Sequence, residues 1–320
     1  MNIMKKKIFI SLQILFILFC AEKNFAQFDY GFDFSKAGSA GLQFLKIGVG
    51  ARESAMGEAV TAIVNDANSV FWNPAGLAYV EKREAILSHN QWLVDSKHNA
   101  AVIAYPIGSY VVALNAVTLD INEFEETTAL QPDGTGRMVQ AGDLLIGLSV
   151  AKRFTDKLSI GVQVKYVQEK LDDYKLSNVL FDVGTIYHTG FRQLRLGFAL
   201  QHFGPDMNLV NQEFRTPLLF RVSAADEIFS TESVGLTLAA ELVHPTDNIE
   251  WVNFGMEINL LDYVELRGGY RLDNDLSKVS FGIGLRPPAL SDFDFKIDYS
   301  YTPSEIVFND IQRFTVGLAF

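Results

Sequence analysis

The residues of this chain that could do chemistry are few, and their spacing does not favour it. Gly48-Val49-Gly50 followed by Gly57 superficially matches a glycine-rich phosphate loop. That loop needs a buried strand before it and a strand–helix–strand unit around it, and neither flank reads that way. The glycines better suit a backbone that must approach another surface closely. His89, His98, His188, His202 and His244 are scattered over different segments, without the helix-face pairing that puts two imidazoles on one metal. Glu125-Glu126 and Asp172-Asp173 read as solvated loop charges. Cys20 is the only cysteine, so a chain cleaved beyond it has no thiol for a disulfide, a metal or a nucleophile. No Ser/His/Asp set or carboxylate pair has the pattern of a catalytic centre. We therefore expect no enzyme, no metal site and no cofactor.

The charged residues do form stripes. Asp292, Asp294 and Asp298 with Lys296 between them would share one face of a strand. Arg221, Arg267 and Arg271 and the carboxylates of Glu241, Glu257 and Glu265 fall at equivalent positions in other segments. Pointing inward from a closed wall, they would make an ion-paired lumen that holds whatever fills it. The net charge of -11 lacks any basic cluster beyond the first residues, which excludes a nucleic-acid partner.

The elements that must position these stripes follow from hydrophobic periodicity. Residues 1–26 read as a signal peptide: Lys5-Lys6-Lys7, an apolar run from Ile8 to Cys20 too short to span a bilayer, then Asn24-Phe25-Ala26 as the cleavage site. Bulky Phe19 disfavours lipidation of Cys20. From about residue 85 to the end the dominant period is two. Leu158, Ile160, Val162, Val164 and Tyr166 alternate with Ser159, Gly161, Gln163, Lys165 and Val167. Val252, Phe254, Met256, Ile258 and Leu260 alternate with Trp251, Asn253, Gly255, Glu257 and Asn259. Segments of about 10 residues or more, with aromatics near their ends, fit strands that cross lipid at a tilt.

Such segments number about fourteen, an even count as in bacterial single-chain barrels. They are read at 85–94, 98–107, 109–119, 140–153, 157–169, 177–189, 192–203, 216–226, 232–243, 249–260, 262–272, 277–286, 292–301 and 311–320. Connections after the second, fourth, sixth and tenth are very short, whereas 120–139, 204–215 and 302–310 are long and polar. Sorting by parity is what tight periplasmic turns and long outer loops produce. Phe314, Val316, Leu318 and the terminal Phe320 alternate on the last segment, as a barrel-assembly signal would. The location implied is the cell outer membrane, with its lipid as a partner.

The stretch 36–82 differs. It is rich in Gly, Ala and Ser, and Ala51, Ala55, Met56, Ala59, Val60, Ile63 and Val64 suggest a broad helical face. In Trp72-Asn73-Pro74-Ala75-Gly76-Leu77, Asn73 is placed as an N-cap and Pro74 as the first helical residue. We expect residues 27–84 to form a segment with a helical hatch inside a barrel of residues 85–320. The fold class is thus an all-β membrane protein with a small N-terminal helical plug.

At these residues the chain resembles a family. Phe44-Leu45-Lys46-Ile47-Gly48-Val49-Gly50-Ala51-Arg52, Ala55-Met56-Gly57-Glu58-Ala59, Asp66-Ala67-Asn68-Ser69 and Trp72-Asn73-Pro74-Ala75-Gly76-Leu77 are similar to the N-terminal signature of PorV-like proteins, within the wider FadL-like barrel group. The resemblance is specific over 40–77 and architectural elsewhere. It implies a fourteen-stranded barrel with a hatch, in which Gly48, Gly50, Arg52, Gly57, Trp72, Asn73, Pro74 and Gly76 are structural. It also implies an accessory of type IX secretion, with exported proteins carrying a C-terminal signal domain, translocon subunits or attachment-complex subunits as partners. The wider group implies an alternative, passive transport of hydrophobic small molecules. That would need an apolar pocket beneath the plug and a lateral opening, with Gly282, Gly284 or Pro287-Pro288 as candidate kinks.

Overall fold

The structure is a computed structural model that describes residues 38–209, 212–272, 276–288, 292–305 and 309–320. The leader read over 1–26, with Cys20, and the first part of 27–84 lie outside the described residues. The strands are β1 (Glu84–Gln91), β2 (Lys97–Ile107), β3 (Tyr110–Glu125), β4 (Met138–Arg153), β5 (Leu158–Leu171), β6 (Tyr174–His188), β7 (Arg195–Phe203), β8 (Met207–Leu209), β9 (Gln212–Phe214), β10 (Leu219–Ser230), β11 (Val234–Pro245), β12 (Trp251–Leu260), β13 (Val264–Leu272), β14 (Val279–Leu285), β15 (Asp294–Thr302) and β16 (Ile311–Ala319). Fourteen of them close into one antiparallel barrel, in which β1 pairs with both β2 and β16, while β8 and β9 form a separate hairpin.

Alternation along these strands sorts side chains in the sense opposite to a water-soluble core. Leu87, Leu114, Leu148, Val162, Val164, Phe181, Phe254, Phe281 and Phe314 are exposed. Asn115, Ser149, Gln163, Asp182, Glu241, Asn253, Asp298 and Thr315 are buried inside the wall. Such an apolar exterior is stable only against lipid, which has no hydrogen bonds to lose, and closure of β1 onto β16 leaves no free first or last strand. Exposed Tyr105, Tyr110, Phe154, Tyr187, Phe191, Tyr263 and Phe320 gather at one end, beside the tight turns, as an interfacial girdle.

That end, the inner one, carries the short connections 108–109, 154–157, 189–194, 231–233 and 261–263. The outer end carries 126–137, 204–218 and 303–310. Parity of loop length fails at two places. The outer Asp172-Asp173 turn is as tight as the inner ones, and the inner connection between β14 and β15 is long. β3 to β6 also run further outward than their alternation predicts, so the expected loop 120–139 shrinks to 126–137.

The hatch is real helical structure but in short pieces: a 3-10 turn Gln43–Lys46, helices Ala51–Ala55 and Ser69–Trp72, and a 3-10 stretch Pro74–Tyr79. The broad helical face expected over 51–64 does not form one helix. Gly57 and Glu58 adopt φ of +63° and +65°, which ends the helix after Ala55. The named apolar residues are nonetheless buried, distributed over successive turns that fill the barrel.

Candidate functional site

The candidate site is the plugged lumen. The chain enters at the outer mouth, where Gly41 donates its N–H to the Arg215 carbonyl at 3.1 Å. It then descends inside the wall to Glu84 at the inner end. Leu42 N–H donates to Glu169 Oε2 at 3.0 Å, and Lys46 meets Asp247 at 2.5 Å. These bonds fix the segment under the mouth.

Below it, the signature residues make the contacts that seat the plug. Trp72 Nε1 donates to the Val49 carbonyl at 2.9 Å, and its ring faces the Arg221 guanidinium at 5.1 Å. Asn73 Oδ1 accepts from Ala75 N–H at 3.1 Å, capping the stretch that Pro74 opens. Its Nδ2 donates to the carbonyls of Thr61 at 2.8 Å and Thr185 at 3.0 Å, tying two plug segments to β6. Wall glycines make room here: a Cβ at Gly161 would overlap Pro74, and one at Gly184 would overlap Asn73. Gly57 packs against Gly269 in the same way. Gly48 lies against Glu58 and Trp72, Gly50 against Glu53, and Gly76 against Ser69 and Val64.

Charge pairs hold the plug to the wall. Arg52 donates through Nε and Nη2 to the two oxygens of Glu257, at 3.0 and 3.1 Å. Glu257 also meets Arg267 at 2.6 Å, and Arg267 contacts Glu265 and, at 2.7 Å, Asp298. Arg286 reaches the last two as well. Lys296 holds Asp66 of the plug at 2.6 Å, with Glu84 at 3.7 Å. Arg271 pairs with Glu58 at 3.0 Å, and Arg221 with Glu241 at 2.9 Å. Of the expected inward stripe, Lys296 and Asp298 serve the lumen, Asp294 sits at the rim with Lys82 at 2.6 Å, and Asp292 lies exposed before the start of β15. Within the plug, burial and the charge of Asp66 push the Glu53 carboxyl up to about 7. Burial works in the same direction on Asp66, but Lys296 and Arg52 outweigh it and hold that carboxyl below its ordinary range.

Above the ion-paired layer, the β3–β6 side of the outer lumen is apolar. Leu42, Phe44 and Val49 pack with Val117, Leu119, Leu145, Val167, Leu176, Leu180 and Met207. A cavity of about 40 Å³ remains between this cluster and Trp72, its lower wall made of polar side chains such as Asn115, Gln163, Lys165 and Gln201, with room for a few waters. The ladder between β6 and β7 ends at Phe181–Phe203, with a register shift beside Asp182 and a left-handed φ at His202. Beyond it, the outer part of β6 faces the 204–218 connection, whose Pro205 carbonyl accepts from Asn178 Nδ2 at 2.8 Å. At Gly282 and Gly284 the wall is regular, because β13, β14 and β15 keep an unbroken register there, while Pro287-Pro288 lie beyond the end of β14. Periodicity could not reveal β8–β9, whose strands have three residues each.

Among the described residues no group of three or more His, Cys, Asp or Glu side chains is arranged to hold a metal. Phe314, Val316 and Phe320 face outward on and just beyond β16, with Phe320 N–H donating to the Arg83 carbonyl at 2.9 Å.

The fold defines a class: a closed, plugged, fourteen-stranded β-barrel of the outer-membrane kind. No family model and no curated protein matches the chain. Solved structures do. The Ralstonia pickettii toluene transporter TbuX aligns with a TM-score of 0.59 at 13% identity, over 85% of this chain and 97% of that one. A Pseudomonas aeruginosa FadL homologue aligns with a TM-score of 0.57 at 12% identity, over 86% and 98%. The Pseudomonas putida toluene transporter TodX aligns with a TM-score of 0.59 at 11% identity, over 85% and 96%. At such identities the likeness is one of fold.

Proposed function

We propose that this barrel conducts hydrophobic small molecules across the outer membrane. The observation that carries the reading is the apolar chamber under the outer mouth, filled by Leu42 and Phe44 and flanked by the unpaired outer part of β6. A hydrophobic molecule that displaced those two side chains would meet a lining of matching polarity. The ion-paired layer below favours exit sideways, past the 204–218 connection, over passage through the charged half of the lumen. The names of the structures similar in fold, toluene transporters among them, support the same reading. The test is uptake of radiolabelled toluene, and separately of a long-chain fatty acid, by cells producing wild type or the Leu42→Ala/Phe44→Ala double variant. Uptake above a vector control, and faster in the double variant, is expected. Background uptake by both proteins for both compounds would sink the proposal.

A second reading, a secretion accessory that receives exported proteins, comes from the PorV resemblance. The outward extension of β3 to β6, which carries exposed Phe124, Leu130 and Met138, favours it. Deleting 127–136 should then leave a folded barrel that no longer captures exported proteins bearing a C-terminal signal domain. Undiminished capture counts against recognition by this crest.

A further inference from the structure

Among the described residues, the buried Lys and Arg side chains of the lumen have carboxylate partners in all cases but one. Among the described residues, the buried cations are Lys165, Arg221, Arg267, Arg271 and Arg313. Lys165 meets Asp182 at 2.6 Å, and the first three arginines have the carboxylates given above. Among the described residues, no carboxylate lies within ion-pair distance of Arg313. The acid whose field reaches it is Glu58, already held by Arg271. Its Nη1 makes one long bond, 3.3 Å, to the Thr302 hydroxyl, the Trp92 ring lies 5.7 Å away, and Nε has no acceptor.

The neighbours of Arg313 share this condition. In register across four strands stand Ser300 on β15, Arg313 on β16, Asn90 on β1 and His98 on β2. Directly opposed side chains in such a row lie about 5 Å apart. All four are at most 3% exposed, and each has a polar atom without a protein partner: Ser300 Oγ, Arg313 Nε, both amide atoms of Asn90, and His98 Nε2. Four adjacent buried residues with orphaned polar atoms far exceed what a folded wall tolerates by chance. The Asn90 carbonyl could satisfy one of the donors by turning, and water could satisfy the rest. Neither supplies negative charge, and an unneutralised guanidinium in a dry site costs several kcal/mol.

We infer that this row binds a small monovalent anion, a halide such as chloride. Arg313 supplies the balancing charge, and the Asn90 amide, the Ser300 hydroxyl and an Nε2–H tautomer of His98 supply neutral donors. A spherical anion imposes no fork geometry, which suits donors arriving from four different strands. Since the row crosses the β1–β16 seam, the anion would also pin the first barrel strand to the last.

The test uses the full barrel in detergent. Crystals grown with sodium bromide and measured at the bromine edge are expected to show one anomalous peak within hydrogen-bond distance of Arg313 Nε, lost in Arg313→Gln. In solution, exchanging sulfate for bromide at equal ionic strength should raise the wild-type melting temperature saturably. Comparison with Arg313→Gln, for which the rise should vanish, cancels the general salt effect. An empty wild-type map overturns the inference, as does a peak that persists in Arg313→Gln. So does a peak with no halide dependence in solution, which would mean binding at crystal concentration only. If Arg313→Gln does not fold, Ser300→Ala keeps the charge and removes one donor. It should weaken the apparent halide affinity several-fold, and an unchanged affinity overturns the assignment.

Discussion

Replacing Asn73 by Ala should loosen the plug without disturbing the barrel. Asn73 is fully buried and makes three hydrogen bonds: one caps the Pro74–Tyr79 stretch, and two satisfy the carbonyls of Thr61 and Thr185. Loss of the cap costs about 1 kcal/mol. Each carbonyl left buried without a donor costs about 1–3 kcal/mol. The sum is about 3–7 kcal/mol, because a methyl group in that place offers nothing to replace the amide. It falls almost wholly on the plug, since β6 keeps its ladder to β5 and β7 through Thr185. Hydrogen exchange followed by mass spectrometry separates the two parts, because plug and barrel peptides are read independently. At about 1.4 kcal/mol per decade, amides over 43–79 should exchange about a hundredfold to a hundred-thousandfold faster, with barrel amides unchanged. Exchange in the plug altered by less than about threefold would refute the reasoning. The plug would then be held by its ion pairs and by shape, and the Asn73 bonds would be incidental.

Four further outcomes follow from the same geometry. Glu53 is a carboxyl whose folded pKa is raised from 4.5 to about 7, so its contribution is greatest below about 4.5 and is lost as pH rises through about 7. Glu53→Gln should therefore protect the plug from exchange at pH 8, by up to about 3 kcal/mol, and have no such effect near pH 4. Lys296→Met removes the cation between Asp66 and Glu84 and should lower plug protection by about 3–5 kcal/mol, recovered in part by adding Asp66→Asn. Leu148→Arg places a charge on the lipid face of β4 and should destabilise the barrel by about 2–4 kcal/mol in bilayer unfolding, whereas the same change at an outer-loop site such as Leu130 should not. Deleting Phe320 should reduce the amount of barrel assembled in cells while leaving detergent refolding intact. Equal losses in both would make the residue structural.

Much of the architecture was legible in the chain. All fourteen barrel strands fall where the period-two segments lie, because a wall between lipid and a polar lumen forces alternation at every crossing. The inward positions of Arg221, Arg267, Glu257 and Lys296 follow from the same parity. Legibility ends where the constraint ends. Beyond Leu119 on β3 both faces meet solvent, so Ile121-Asn122-Glu123-Phe124-Glu125 continues as strand with every side chain exposed and no alternation to announce it. The plug was legible as a compositional change, but its breaks at Gly57 and Glu58 depend on positive φ values that a helical period does not register.

What the sequence by itself determined is which side chains face lipid, which face inward, and that an Ala/Gly-rich segment must fill the space between. Those are local facts, carried by neighbours two to four positions apart. Only the tertiary structure decided who meets whom. Arg52 and Glu257 are 205 positions apart and Lys296 and Asp66 are 230 apart, so nothing in their spacing selects one carboxylate over another. The apolar chamber, the end of the β6–β7 ladder, and the unpaired Arg313 exist because ring closure sets β1 against β16 and the plug occupies the rest. Partner choice is a consequence of closure, and closure is a property of the whole ring.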